Sequence, residues 1–144
     1  MKILIADDKL NFRRGLRRLI EEHDGWSVCA EAEDGLQAVN QAKQLKPDLI
    51  VLDLAMPELN GFEAAAQISE ALPWVPILML TLYVSPLVEE KAEKVGVQRV
   101  ISKTAGNLLV PAMEEAFAQV RNKKRHDGET VQIFRSSLGP HPSA

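Results

Sequence analysis

The stretch Leu49 to Gly61, LIVLDLAMPELNG, constrains the fold of this chain more than any other. Apart from Asp53, every residue from Leu49 to Leu54 is aliphatic, as expected of a strand buried on both faces of a parallel sheet. The apolar run meets a carboxylate, and then Pro57, which lacks an N–H, and Gly61, free to take positive φ, punctuate the chain. Asp53 is thereby placed at the carboxyl end of a core strand, just before a loop, and in open α/β sheets that edge is where ligands bind.

The flanking sequence repeats the theme. Lys2 to Ala6 reads as a short buried strand that stops at Asp7 and Asp8. Phe12, Leu16, Leu19 and Ile20 recur at helical spacing, with Arg13, Arg14, Arg17 and Arg18 on the other face, so a first helix is expected to about His23. Arg17 to Glu21 and Arg18 to Glu22 are spaced for ion pairs. Trp26 to Ala32 is a second strand, and Asp34-Gly35 opens a helix whose apolar stripe is Leu36, Val39, Ala42 and Leu45. Phe62, Ala65, Ala66, Ile68 and Leu72 mark a third helix. Ile77 to Leu80 is a strand ending at Thr81, and Ser85-Pro86 caps a helix with Leu87, Val88, Ala92 and Val95 inward. Arg99 to Ser102 is a fifth strand ending at Lys103. Asn107 is then placed to cap a last helix carrying Leu108, Leu109, Ala112, Met113, Ala116, Phe117 and Val120.

Five strands alternating with five helices predict an α/β, flavodoxin-like doubly wound parallel sheet in the order 2-1-3-4-5, with helices on both faces. With 144 residues the expectation is one domain, residues 1–121, followed by a mobile tail over 122–144 with a short ordered piece at Val131 to Phe134. The basic cluster Arg121, Lys123, Lys124 and Arg125 matches a helix C-terminus. A net charge of −3 argues against direct nucleic-acid binding by bulk electrostatics, and the absence of a long apolar segment or signal peptide leads to a cytoplasmic expectation with no membrane contact. Cys29, the single cysteine, reads as a buried thiol.

The chemistry lies in what the strand ends bring together. Asp7-Asp8, Asp53, Thr81 and Lys103 all arrive at one edge of one sheet. Alone, each has a structural reading: the acidic pair as a cap of the first helix, Thr81 as a strand residue, Lys103 as a solvated charge. Together, three carboxylates repel one another unless a positive charge sits between them, and a hard cation such as Mg²⁺ supplies it through oxygen ligands. A nucleophilic carboxylate, a metal, a lysine and a hydroxyl around one point are the parts of phosphoryl transfer to an aspartate.

The acidic pair, DLAMPELNG around Asp53, Thr81, and Lys103 within VISKTAG resemble the receiver domain of two-component response regulators. The EAEDGLQAV and NGFEAAAQI runs look most like the subfamily that usually carries a helix-turn-helix output domain. The resemblance implies that Asp53 accepts a phosphoryl group from a sensor histidine kinase or a phosphotransfer protein. It implies Mg²⁺ held by Asp8, Asp53, the backbone carbonyl of Ala55 and, through water, Asp7. It further implies that Lys103 pairs with a phosphoryl oxygen while Thr81 moves to hydrogen-bond it, rearranging helix four, strand five and helix five for a downstream protein partner. Dimerisation through helices four and five is common in that family, as is kinase docking on the first helix.

Four positions depart from the family pattern. Leu82 is bulky where a small residue usually admits the phosphodonor, Val100 replaces an aromatic switch residue, and Thr104 stands where proline often makes a cis peptide. Lys9 adds a positive charge beside the acidic pair. Two alternatives share the fold: the receiver of a DNA-binding regulator whose output domain is absent from these residues, and a pseudo-receiver that binds partners without phosphorylation. Enzymes fit less well. A phosphatase of the haloacid dehalogenase type wants a second acid where Ala55 stands, and a flavodoxin wants a hydroxyl-rich phosphate loop where Asp7-Asp8 stands.

Overall fold

The structure, a computed structural model, describes residues 1–122. The expectations for a tail, for Val131 to Phe134 and for most of the basic cluster lie outside the described residues. Strands β1 (Lys2–Ala6), β2 (Ser27–Ala32), β3 (Leu49–Asp53), β4 (Ile77–Thr81) and β5 (Arg99–Ser102) form one parallel sheet in the order β2-β1-β3-β4-β5. They alternate with helices α1 (Leu10–Glu21), α2 (Gly35–Leu45), α3 (Gly61–Ala71), α4 (Pro86–Lys94) and α5 (109–122). The doubly wound flavodoxin-like sheet read from the sequence is the fold observed.

Both faces of the sheet are buried, which is why its central strands carry almost no polar residue. On one face Leu4, Ile50, Leu52, Ile77 and Met79 pack with Ala38, Val39 and Ala42 of α2, Ala64, Ala65 and Ile68 of α3, and Ala92 of α4. On the other, Ile3, Ile5, Val51, Leu78 and Leu80 pack with Leu16 and Ile20 of α1 and with Leu109, Ala112, Met113 and Phe117 of α5. The strands are fixed between these two layers, so side chains at their carboxyl ends project from a rigid platform.

The connections hold several departures from the sequence reading. Leu36 and Leu87, assigned to inner helix faces, are exposed, as is Ala66; Ala64 takes the inner position on α3. The periodicity was ambiguous there because adjacent apolar residues offer two neighbouring stripes. Asn107 caps no helix: Gly106–Leu108 is a 3-10 turn without a side-chain cap, and α5 starts at 109. Arg17 pairs with Glu21 at 3.0 Å, whereas no Arg18 to Glu22 ion pair occurs among the described residues; α1 closes with the Glu22 N–H donating to Arg18 O and the His23 N–H to Ile20 O. Cys29 is half-buried rather than buried.

Gly61 does not use positive φ. The left-handed residue of that loop is Glu58, with φ 67°. Gly61 is required instead by close approach: a Cβ there would strike the Asp53 carbonyl oxygen and come within 2.7 Å of Leu54 Cα. Its N–H donates to Leu54 O at 2.7 Å, folding the β3–α3 loop back onto the end of β3. Asn60 and Glu63 then cap α3 reciprocally, each side chain accepting from the other's backbone N–H.

Candidate phosphoacceptor site

The parallel register delivers the expected residues to one edge. Asp53 closes β3 beside Leu80 of β4, Thr81 closes β4 beside Ser102, and Asp7 follows β1. Asp7, Asp53 and Thr81 are 1 %, 4 % and 1 % exposed, a burial that unpartnered carboxylates do not tolerate. Lys103 reaches across, its Nζ 2.7 Å from Asp7 Oδ2 and 3.2 Å from Asp53 Oδ2. The Phe12 ring lies 4.3 Å below the same ammonium, so the lysine is held by two carboxylates and a π face.

Asp8 is exposed, yet one carboxylate oxygen from each of Asp7, Asp8 and Asp53 falls within 4.8 Å of the others. The cleft over them is about 160 Å³ and is lined by Asp8, Lys9, Asp53, Ala55, Thr81, Leu82, Tyr83 and Lys103. Every residue read as a site residue, Ala55 included, is therefore at this cleft or immediately beneath it. Asp7 does not cap α1 by its side chain; Oδ1 instead accepts from Lys9 N–H at 2.8 Å, tightening the β1–α1 turn.

One lysine does not balance three acids. Burial, followed by repulsion from Asp7, pushes the Asp53 carboxyl up to about 6, against the counteracting attraction of Lys103. For Lys103 burial works against the charged form, but the hydrogen bond to Asp7 and the attraction of Asp53 prevail and its pKa is raised. The cleft thus holds a surplus of negative charge on hard oxygen donors, with Asp8 still facing solvent. That donor set fits a small divalent cation that keeps part of its water shell.

The departures are also placed. Leu82 and Tyr83 are 58 % and 73 % exposed at the mouth of the cleft, and Tyr83 N–H donates to Thr81 Oγ1 at 3.2 Å. Val100 is half-buried against the α2/α3 side of the core. There is no cis peptide among the described residues, as the Thr104 substitution led us to expect. Lys9 is exposed and forms no ion pair with the three acids.

Sequence reasoning missed Arg13. Assigned to the solvent face of α1, it is 5 % exposed, and its guanidinium meets Asp7 O at 2.7 Å, Glu31 at 3.3 Å and Glu33 at 3.6 Å. The available signal was the acidic pair Glu31 and Glu33 at the end of the neighbouring strand.

The response regulator receiver domain family matches residues 3–113. This chain belongs to that family, the signalling domain of two-component systems. It is 49 % identical over 82 residues to the transcriptional regulatory protein YdfI of Bacillus subtilis, covering 57 % of this chain and 38 % of that protein. Over 133 residues it is 32 % identical to the transcriptional regulatory protein PdtaR of Mycobacterium tuberculosis, covering 92 % of this chain and 64 % of the other. The crystal structure of a LuxR-family two-component response regulator from Aurantimonas sp. SI85-9A1 superposes with a TM-score of 0.79 at 33 % identity, covering 82 % of this chain and 85 % of that one. The chain thus spans less than two thirds of the length of these two curated relatives.

Proposed function

We propose that the chain is a phosphorylatable receiver in which Asp53 takes a phosphoryl group from a phosphohistidine on a sensor histidine kinase or phosphotransfer protein. The observation that carries this reading is Lys103 bridging Asp7 and Asp53 in an acidic cleft open to solvent at Asp8. An Asp53 carboxylate oxygen attacks phosphorus; the O–P bond forms, the N–P bond breaks, and the departing imidazole takes up a proton. Since its pKa lies near 6, Asp53 is mostly ionised, and so nucleophilic, at neutral pH.

Lys103 is positioned to pass from its Asp53 contact to a phosphoryl oxygen, compensating charge where it develops. The Thr81 hydroxyl can donate to a second phosphoryl oxygen while its own oxygen still accepts from Tyr83 N–H. Asp8, Asp53, the Ala55 carbonyl and, through water, Asp7 would hold Mg²⁺, which supplies the positive charge that lets an anionic phosphoryl group approach three carboxylates. Leu82 overhangs the entrance and makes donor access slower or more selective.

The chain acts in this reading as a phosphoacceptor rather than as a turnover enzyme. It works in the cytoplasm, without membrane contact, and signals through a downstream protein, with a homodimer through α4 and α5 as one form of that output. Residues 1–121 form the receiver and 122–144 an appended segment. A second output, DNA binding by a domain beyond these residues, is favoured by the similarity to YdfI and PdtaR, both transcriptional regulatory proteins.

Intact mass after incubation with Mg²⁺ and a small phosphodonor or a promiscuous histidine kinase tests the reading beside Asp53→Ala. One phosphoryl group is expected on the unaltered chain and none on the variant. No gain from either donor, with the fold intact, would replace it by the pseudo-receiver.

A further inference from the structure

Arg13 is a buried cation that the phosphoryl chemistry does not use. Its three donor groups go to three different places: Nη1 to the Asp7 carbonyl oxygen at 2.7 Å, Nε to Glu31 Oε1 at 3.3 Å, and Nη2 towards Glu33 Oε1 at 3.6 Å. Glu31 belongs to β2, Glu33 follows it, and Asp7 follows β1, so one guanidinium on α1 joins the ends of two strands. Glu31 is in turn shared with Arg17 at 2.8 Å, and Arg17 with Glu21, which ties the cluster along α1.

The effect falls on Asp7. Its N–H donates to Ala32 O at 3.0 Å, its carbonyl accepts from Arg13, Oδ1 accepts from Lys9 N–H, and Oδ2 takes the Lys103 ammonium. Both peptide groups of Asp7 are therefore anchored to the β2 side, one by backbone and one by Arg13. The carbonyl bonded to Arg13 is the one that begins the Asp7–Asp8 peptide, so fixing its plane fixes the direction in which Asp8 leaves the strand. Glu31 and Glu33 balance the guanidinium charge, so the anchor brings little net positive charge to an acidic cleft meant for a cation. The planar guanidinium spreads its donors over three nitrogens in a fixed fork that spans these separated partners, whereas a lysine ammonium offers its donors from a single nitrogen.

We propose that Arg13 is a positioning residue for cation binding, holding the Asp7–Asp8 turn in the geometry that brings both carboxylates to Asp53. The proposal rests on the phosphoacceptor reading, in which those acids hold Mg²⁺. Groups that hydrogen-bond and orient metal ligands are generally worth about 10- to 100-fold in affinity, and Arg13 acts in the same way through the backbone of the Asp7–Asp8 turn.

The test is calorimetric titration of the whole chain with Mg²⁺ alone, for the unaltered protein, Arg13→Met, Arg13→Lys and the double variant Glu31→Gln, Glu33→Gln. Amide hydrogen exchange at Lys9, whose N–H is bonded to Asp7 Oδ1, is followed in the metal-free state. The expected result is a Mg²⁺ Kd raised about tenfold or more in Arg13→Met, with faster Lys9 exchange and unchanged exchange in β3 and β4. Arg13→Lys is expected to recover only part of the affinity, and it carries the test should Arg13→Met not fold. The double variant keeps the bond to the Asp7 carbonyl but leaves the guanidinium charge unbalanced, so it is expected to lose less Mg²⁺ affinity than Arg13→Met, to recover most of that loss as salt screens the charge, and to leave Lys9 exchange unchanged. Unchanged Mg²⁺ affinity in both folded Arg13 variants, or equal losses in the double variant, would overturn the positioning role while leaving the phosphoacceptor reading intact. Failure of the unaltered chain itself to bind Mg²⁺ would overturn both.

Discussion

The two halves of the cleft are built differently. On the β1/β3 side, Asp7 has every polar atom engaged, Lys103 is wedged between two carboxylates and a ring, and Gly61 packs its backbone against Asp53 and Leu54. On the β4/α4 side, Leu82, Tyr83, Val84 and Leu87 are all exposed, and Ala92 is the sole buried residue of α4. The first half is over-determined, and the second is held at its near end by little more than the Ser85 helix cap. Low burial and few tertiary contacts mark a segment that opens locally at small cost. In the phosphoacceptor reading, a site that presents a fixed cluster of acids and reports a change on one of them would gain from placing those tasks on opposite sides.

Substitutions graded by the constraint they remove test this asymmetry. Gly61→Ala has the largest expected effect, about 2–3 kcal/mol of stability in urea unfolding, because the new methyl meets backbone that cannot yield. Next is Asp53→Asn without divalent cations. The folded state holds the Asp53 proton more tightly than the unfolded chain, so stability is lost as pH rises from about 4 through about 6. The asparagine variant is accordingly expected to be more stable than the unaltered chain above pH 6, by about 1–2 kcal/mol after discounting for solvent in the cleft, and to lose that advantage near pH 4. In the phosphoacceptor reading saturating Mg²⁺ is expected to shrink the difference, since a cation held by Asp53 and its neighbours would stabilise the folded, unaltered chain.

Ser85→Ala removes the side chain that accepts from Val88 N–H and is expected to cost about 1 kcal/mol. Its signature is faster amide exchange confined to α4; a loss of global stability as large as that of Gly61→Ala would erase the contrast between the halves. Leu87→Ser, at the exposed extreme, should change stability by less than about 0.5 kcal/mol.

What could be read from the sequence follows the same division by range. Strand runs ending in Asp7, Asp53, Thr81 and Lys103 declare themselves because the parallel sheet imposes a continuous apolar pattern, and a doubly wound topology then fixes which strand ends are neighbours. Arg13 was missed because helical spacing alone puts it on the solvent face, and its burial shows only when Glu31 and Glu33 are read as arriving beside it from the next strand. Gly61 was recognised as special for the wrong reason, since close approach to Asp53 is a tertiary fact while positive φ is a local one. Leu87 looked internal because it lies beside Val88, and only the shallow seat of α4 decides between them.

That shallow seat has a mechanical side. The far end of α4 is tied down: Ser69 Oγ donates to Val95 O at 2.9 Å, Val97 N–H to Ala92 O at 2.9 Å, and Gly96, at φ 91°, lies so close to Ser69 that a Cβ would strike its hydroxyl. The near end, four residues from Thr81, has no such tether. At helical rise Ser85 lies about 16 Å from Gly96, so a shift of about 2 Å at Ser85, with the Gly96 end held, would tilt the axis of α4 by roughly 7°. In the phosphoacceptor reading, a small displacement of the Thr81 hydroxyl would then be converted into an angle across the whole outer face of α4.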